Sequence, residues 1–253
     1  RGLRVDSTLG GFHVTAAEFT DDPGAVGPVG IVVMAVKAWQ VPEAARAIAP
    51  MVGTDTVVVP TQNGVEGAQD LAAVLGDGPV LAGYAAILSS LLGPGHVSHD
   101  GMTEPFIAFK ETDNSRSARV DLVAEELDCD GFAVNVPDDI DVALWTKLLN
   151  VSPVGALGGA LRSSGRYWRD IPRTRRLYED ALSEVKAVAA ARGVDVGEEP
   201  VKALLEGLDT LPVKSTTSMQ RDILAGRPSE LEAQVGAVVR LGEEAGVPTP
   251  VYS

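Results

Sequence analysis

The stretch Val29-Gly30-Ile31-Val32-Val33-Met34-Ala35-Val36 is apolar without a break. It lacks the two-residue alternation of a strand with one wet face, and it is short for a buried helix. A run of this kind reads as a strand of a parallel sheet, covered on both faces. It ends in Lys37-Ala38-Trp39-Gln40, after which Pro42-Glu43-Ala44-Ala45 opens a helix with proline and an acid in its first turn. Thr56-Val57-Val58-Val59-Pro60 repeats the buried-strand pattern, followed by Gln62-Asn63-Gly64-Val65-Glu66 and a helical stretch to about Leu75. Strand, helix, strand, helix in this order predicts a parallel sheet with right-handed crossovers. Ligands of such sheets sit at the carboxyl ends of the strands, which is where Lys37 and Asn63 fall.

The segments around this unit are shorter. Residues 2–5 and 11–15, separated by Asp6-Ser7-Thr8-Leu9-Gly10, read as a β-hairpin. Asp21-Asp22-Pro23-Gly24 is a turn. Residues 80–87 form another strand-like run, Gly93-Pro94-Gly95 turns the chain, and His96–His99 begins a return strand. Two histidines at that spacing point to opposite faces of a strand, which argues against a shared metal. Residues 105–109 are read as completing a small antiparallel section, 118–127 as an amphipathic helix and 132–136 as a last short strand. After Pro137-Asp138-Asp139 the period becomes helical, with segments near 140–161, 171–192, 197–207 and 228–246. The domain boundary is placed near 138, between an α/β and an all-α part.

Composition narrows the partners. The 253 residues carry a formal charge of −14, which offers no general positive field for nucleic acid or an anionic membrane and leaves room for a small anionic substrate met by local cations. One cysteine, Cys129, excludes an internal disulfide and a cysteine-rich metal site. No apolar run has the length of a membrane span and the start does not resemble a signal peptide, so a cytoplasmic setting is expected.

Leu144-Trp145-Thr146-Lys147-Leu148-Leu149-Asn150 places one cation inside an apolar helical run. Such a lysine either carries its charge out along its own stem or is a proton donor whose pKa burial has lowered.

Six short stretches occur in a fixed order: Val36-Lys37-Ala38-Trp39-Gln40, Gln62-Asn63-Gly64, Pro94-Gly95-His96-Val97, Trp145-Thr146-Lys147-Leu148, Ser218-Met219-Gln220-Arg221-Asp222 and Ser229-Glu230-Leu231-Glu232. In this order and spacing the chain resembles the ketopantoate reductase (2-dehydropantoate 2-reductase) family. The resemblance implies an α/β Rossmann-like dinucleotide-binding domain over residues 1–138, N-terminally incomplete. An all-α domain like the C-terminal domain of 6-phosphogluconate dehydrogenase follows over residues 139–253, serving substrate binding and dimerisation. It implies an NADP-dependent oxidoreductase that reduces the ketone of 2-dehydropantoate with NADPH, on the way to pantothenate and coenzyme A. The partner is then a small 2-oxo acid, with a homodimer possible. By position, Lys147 is the catalytic lysine and touches substrate, Lys37, Asn63, Ser89 and Glu230 lie along the cofactor, and Ser218 and Asn150 hold substrate. The chemistry agrees: as hydride reaches a ketone carbon, charge grows on its oxygen, and a positioned ammonium stabilises that charge and donates a proton. A desolvated lysine near a carboxylate suits this.

Two departures accompany the resemblance. The Gly-x-Gly-x-x-Gly turn that receives a pyrophosphate at a helix N-terminus is not in the sequence, and Gly155-Ala156-Leu157-Gly158-Gly159 falls inside a helical segment, where it reads as close helix packing. The chain therefore reads as starting after the family's second strand, which leaves the 29–36 strand with an open edge and predicts weak NADPH binding. After the lysine, Asn150 stands one place early, and Val151 and Gly155 stand where the family's asparagines grip substrate. The alternatives are accordingly a relative that reduces another 2-oxo acid or ketone, or an impaired fragment that only binds or dimerises.

Overall fold

A computed structural model describes residues 2–101, 104–212 and 215–253. The chain separates into two compact units. One comprises residues 1–36, 40–62 and 67–140; the other comprises 37–39, 63–66 and 141–253.

The first unit opens with the expected hairpin, β1 (Leu3–Ser7) against β2 (Phe12–Val14). β3 (Ile31–Met34), α1 (Val41–Ile48), β4 (Val57–Pro60) and α2 (Gly67–Leu75) follow, and β3 and β4 pair in parallel as their apolar runs require. Next come β5 (Ala82–Ala86), β6 (Ser89–Gly93), β7 (His96–His99), β8 (Phe106–Lys110), α3 (Ala118–Leu127) and β9 (Ala133–Asn135). β5, β8 and β9 lie side by side in that order. Val58 N–H donates to the Pro79 carbonyl at 2.7 Å and Leu81 N–H to the Val58 carbonyl at 3.0 Å, which joins β5 to β4.

The valines of β4 supply both faces of this sheet. Val58 packs with Val32, Met34, Val41, Ala45 and Leu71 beneath α1 and α2. Val57 and Val59 point the other way, into Leu81, Ile107, Phe109, Val120 and Val123 beneath α3. A strand with helices on both sides must be apolar throughout, and β4 is buried along its whole length. β3 has the open edge expected of it in place of full cover: Val33 is 43% exposed, and among the described residues β3 pairs only with β4. A strand at the edge of a sheet has cover on fewer sides than its sequence prepares it for.

β8 pairs antiparallel with β5, as read, and parallel with β9, while β7, the return strand, pairs in a hairpin with β6 and not with β5. That hairpin joins β1 in parallel to make a separate four-stranded sheet, β2-β1-β7-β6. Its two histidines face different partners: the ring of His96 lies 2.8 Å from Asp6 and that of His99 3.0 Å from Ser7.

The second unit is helical: α4 (Ile140–Ala160), α5 (Gly165–Arg169), α6 (Pro172–Ala191), α7 (Glu199–Leu208), α8 (Ser218–Leu224) and α9 (Ala237–Ala245). α5 and α8 are helices the sequence period did not mark. A π-helical turn, Glu232–Gly236, interrupts the segment read as one helix over 228–246. α4 is apolar on nearly all sides, the pattern of a helix at the centre of a core. Leu148, Leu149 and Leu157 pack with Leu182, Val185 and Val188 of α6 and Val238 and Leu241 of α9. Trp168 meets Tyr178 with ring centroids 5.7 Å apart.

Candidate functional site

Lys147 projects from α4 beside the buried Leu144, Trp145, Leu148 and Leu149 and is itself half-buried. Its ammonium has no hydrogen-bond or ion-pair partner among the described residues, and burial alone draws its pKa below the ordinary value of 10.5. Lysine in an apolar helix can extend its stem to water; here the side chain stays desolvated enough to change its acidity.

The two strand-end segments, Lys37–Trp39 and Asn63–Glu66, cluster with the helical unit. They converge on Glu230, which is 4% exposed. Ala38 N–H donates to Glu230 Oε1 at 3.3 Å, and Asn63 Nδ2 donates to Oε2 at 3.2 Å. Gln234 Nε2 also reaches Oε2, at 3.3 Å. A buried carboxylate needs such donors to offset the hydration it loses. Gly64 follows Asn63 with φ +108°, and a Cβ there would stand 2.9 Å from the Ala233 carbonyl of the π turn. Only glycine combines that backbone conformation with that approach. Arg240 fixes the same loop from outside, donating to Glu66 at 2.6 Å and to Glu232 at 2.7 Å. Lys37 Nζ lies 3.2 Å from Asp222 Oδ2. Burial pushes Asp222 up, but hydrogen bonds from Arg227 and Lys37 outweigh it and hold the carboxyl below the usual range.

Ser218 is the first residue of α8, half-buried, and its hydroxyl has no partner among the described residues. The neighbouring Thr217 caps the helix, accepting from Gln220 N–H at 3.1 Å. α8 is seated on the glycines of α4, as the sequence suggested for that run. A Cβ at Gly155 would stand 2.6 Å from Met219 Cε, and Gln220 Nε2 donates to the Gly158 carbonyl at 3.1 Å.

The sequence-derived residues thus separate. Asn63 and Glu230 are bonded directly, and Lys37 is engaged by Asp222. Among the described residues no ion pair joins Glu230 to Lys147, and both Glu230 oxygens accept from the loops or Gln234. Asn150 is exposed, one turn along α4 from Lys147. Ser89 belongs to the other unit, exposed on β6 opposite His99. Asp222 stood in one of the six stretches without a role, and Gln234 and Arg240 carried no local signal.

Some of these groups fit a dinucleotide. Lys37 and Asn63 follow β3 and β4 by three residues each, on the side where such sheets take their ligands. Within the first unit, Gln62 donates to the Met34 carbonyl at 2.6 Å and the Val36 carbonyl at 2.8 Å, and its buried Oε1 has no partner among the described residues. Among the described residues no helix is long and apolar enough to cross a membrane.

An α/β unit of Rossmann type and an all-α unit define the class: an oxidoreductase that works with a dinucleotide. Residues 1–111 match the family model described as Ketopantoate reductase PanE/ApbA, and residues 139–253 match its C-terminal counterpart. The 2-dehydropantoate 2-reductase of Mesorhizobium japonicum is 31% identical over 252 residues, covering 89% of this chain and 74% of that protein. The crystal structure of 2-dehydropantoate 2-reductase from Geobacter metallireducens superposes with a TM-score of 0.90 at 26% identity, over 99% of this chain and 83% of that one. A D-mandelate dehydrogenase bound to NADH and anilino(oxo)acetate shares the fold, with a TM-score of 0.83 at 19% identity over 99% of this chain and 81% of that one. The chain belongs to the ketopantoate reductase family, oxidoreductases that act on a CH–OH group.

Proposed function

We propose that this protein reduces 2-dehydropantoate to pantoate with NADPH, a step toward pantothenate and coenzyme A, and that Lys147 is the proton donor. The observation that carries the reading is the half-buried ammonium of Lys147, without a partner among the described residues, whose pKa burial lowers. A reduced nicotinamide supplies the hydride when bound. Lys147 meets the growing charge on the ketone oxygen and gives up its proton there, which a lowered pKa favours. Lys37, Asn63 and Glu230 hold the cofactor, and Ser89 is proposed as a further contact on its nicotinamide side. Ser218 and Asn150 hold the substrate, Ser218 through its carboxylate. The domain roles follow, with residues 1–138 for the cofactor and 139–253 for the substrate and for a homodimer.

One observation favours a second substrate. Gly155 stands where the resemblance puts an amide that grips ketopantoate, and Met219 of α8 and its cap Thr217 occupy the space such a side chain would need. A site without that amide gives up discrimination for a substrate hydroxyl, so another 2-oxo acid is the runner-up. The test uses the intact gene product, with ketopantoate and a panel of unbranched and aromatic 2-oxo acids offered side by side, each with NADPH and NADH. A kcat/KM highest for ketopantoate and NADPH supports the proposal. A preference for another acid, or for NADH, replaces the corresponding part of it.

A further inference from the structure

The Glu230 carboxylate receives three neutral donors, and two of them, Ala38 N–H and Asn63 Nδ2, come from the strand-end loops. The third, Gln234 Nε2, has a different origin. Gln234 is 1% exposed, inside the π turn, and its own N–H donates to the Glu230 carbonyl at 3.0 Å. Its backbone carbonyl accepts from Ser152 Oγ at 2.8 Å, and the Tyr252 hydroxyl lies 3.0 Å from the same Oγ. Ser152 is fully buried on α4, the helix that carries Lys147.

Gln234 is an expensive residue for this place. Its Oε1 is buried with no partner among the described residues, a cost an apolar side chain of the same size would avoid. What a glutamine supplies and methionine does not is the donor to Glu230. A carboxylate has about four acceptor positions, and three of those on Glu230 are filled. We propose that Gln234 is a positioning residue: it fixes the rotation of the Glu230 carboxylate so that its remaining acceptor position faces the ligand, and Ser152 ties that setting to α4. π turns recur at functional sites, and here the turn brings the Gln234 side chain and carbonyl to two different partners.

The inference rests on the proposed role of Glu230 in holding the ligand. The experiment therefore pairs Gln234→Met with Glu230→Gln and their combination in the intact protein, with Gln234→Leu as a second form. Gln234→Met is expected to raise KM for NADPH about tenfold, the worth of one oriented hydrogen bond, with kcat within about twofold. Added to Glu230→Gln, it should change KM no further. Ser152→Ala should move KM in the same direction. If Glu230→Gln impairs binding while both Gln234 variants leave KM unchanged, or if the two substitutions add independently, the positioning role is wrong. If Glu230→Gln itself leaves KM and kcat intact, the reading of Glu230 fails and the inference falls with it.

Discussion

Asn63 Nδ2 donates to Glu230 Oε2 at 3.2 Å, tying the polar loop after β4 to the turn that enters the π segment. The acceptor is a buried carboxylate, so removing the donor leaves charge with one partner fewer. Asn63→Ala is expected to lower the unfolding free energy by about 1.5–3 kcal/mol, the range for hydrogen bonds to charged groups. Urea unfolding checks this, and a loss well under 1 kcal/mol would mean that water replaces the amide.

Gly64 combines two demands, a positive φ and a close backbone approach. Its φ is +108°, and the Ala233 carbonyl would be 2.9 Å from an added Cβ; Gly193 has φ +85° with open space around it. Gly193→Ala should cost only the conformational term, about 1 kcal/mol. Gly64→Ala should cost more, about 2–3 kcal/mol, because backbone strain and a displaced π turn add. Equal losses in thermal or urea unfolding would show that the π turn moves aside freely.

Lys110 is buried at the end of β8, and its ammonium donates to the carbonyls of Pro137 at 2.8 Å and Asp138 at 2.6 Å. Asn114, held at φ 63°, accepts from Ile140 N–H at 2.7 Å. Together they fix the chain as it enters α4. Lys110→Met removes two charged hydrogen bonds while keeping the stem, and should destabilise by about 2–4 kcal/mol. A variant of unchanged stability would show that the carbonyls are readily hydrated.

Much of the fold was legible because local chemistry and tertiary cover agree. Residues 118–127 form a helix over the span the period gives, started by Ser117, whose side chain accepts from Val120 N–H. The glycines after Lys147 read as close packing, and Met219 and Gln220 fill the space they leave. Val33 shows that an apolar strand states what it tolerates, while its cover depends on neighbours that the strand cannot specify. The π turn at Glu232–Gly236 was invisible because one extra residue per turn shifts a helical period without erasing it. In the site, Lys147, Asn63 and Glu230 stood out by motif order. Gln234 and Asp222 did not: Ser152 and Lys37, which they meet, lie far away in sequence, and a glutamine in a helix carries no mark of what it faces, even when that is Glu230 one turn back.

The central claim is that Lys147 gives the proton. Burial lowers its pKa below 10.5, and a donor must be protonated to act. The kcat/KM of the free enzyme should therefore be level at lower pH and fall as pH rises through that lowered pKa. The folding contribution has the opposite slope. Between the lowered pKa and 10.5 the unfolded chain binds more protons, so stability rises with pH across that window, and Lys147→Met removes the rise. The most direct measurement is the pH–rate profile of the intact enzyme beside that of Lys147→Met. The account predicts a basic limb below the ordinary lysine range in the parent, and in the variant a loss of about 10²–10⁴ in kcat together with the disappearance of that limb. A variant that keeps both its rate and its basic limb would contradict it.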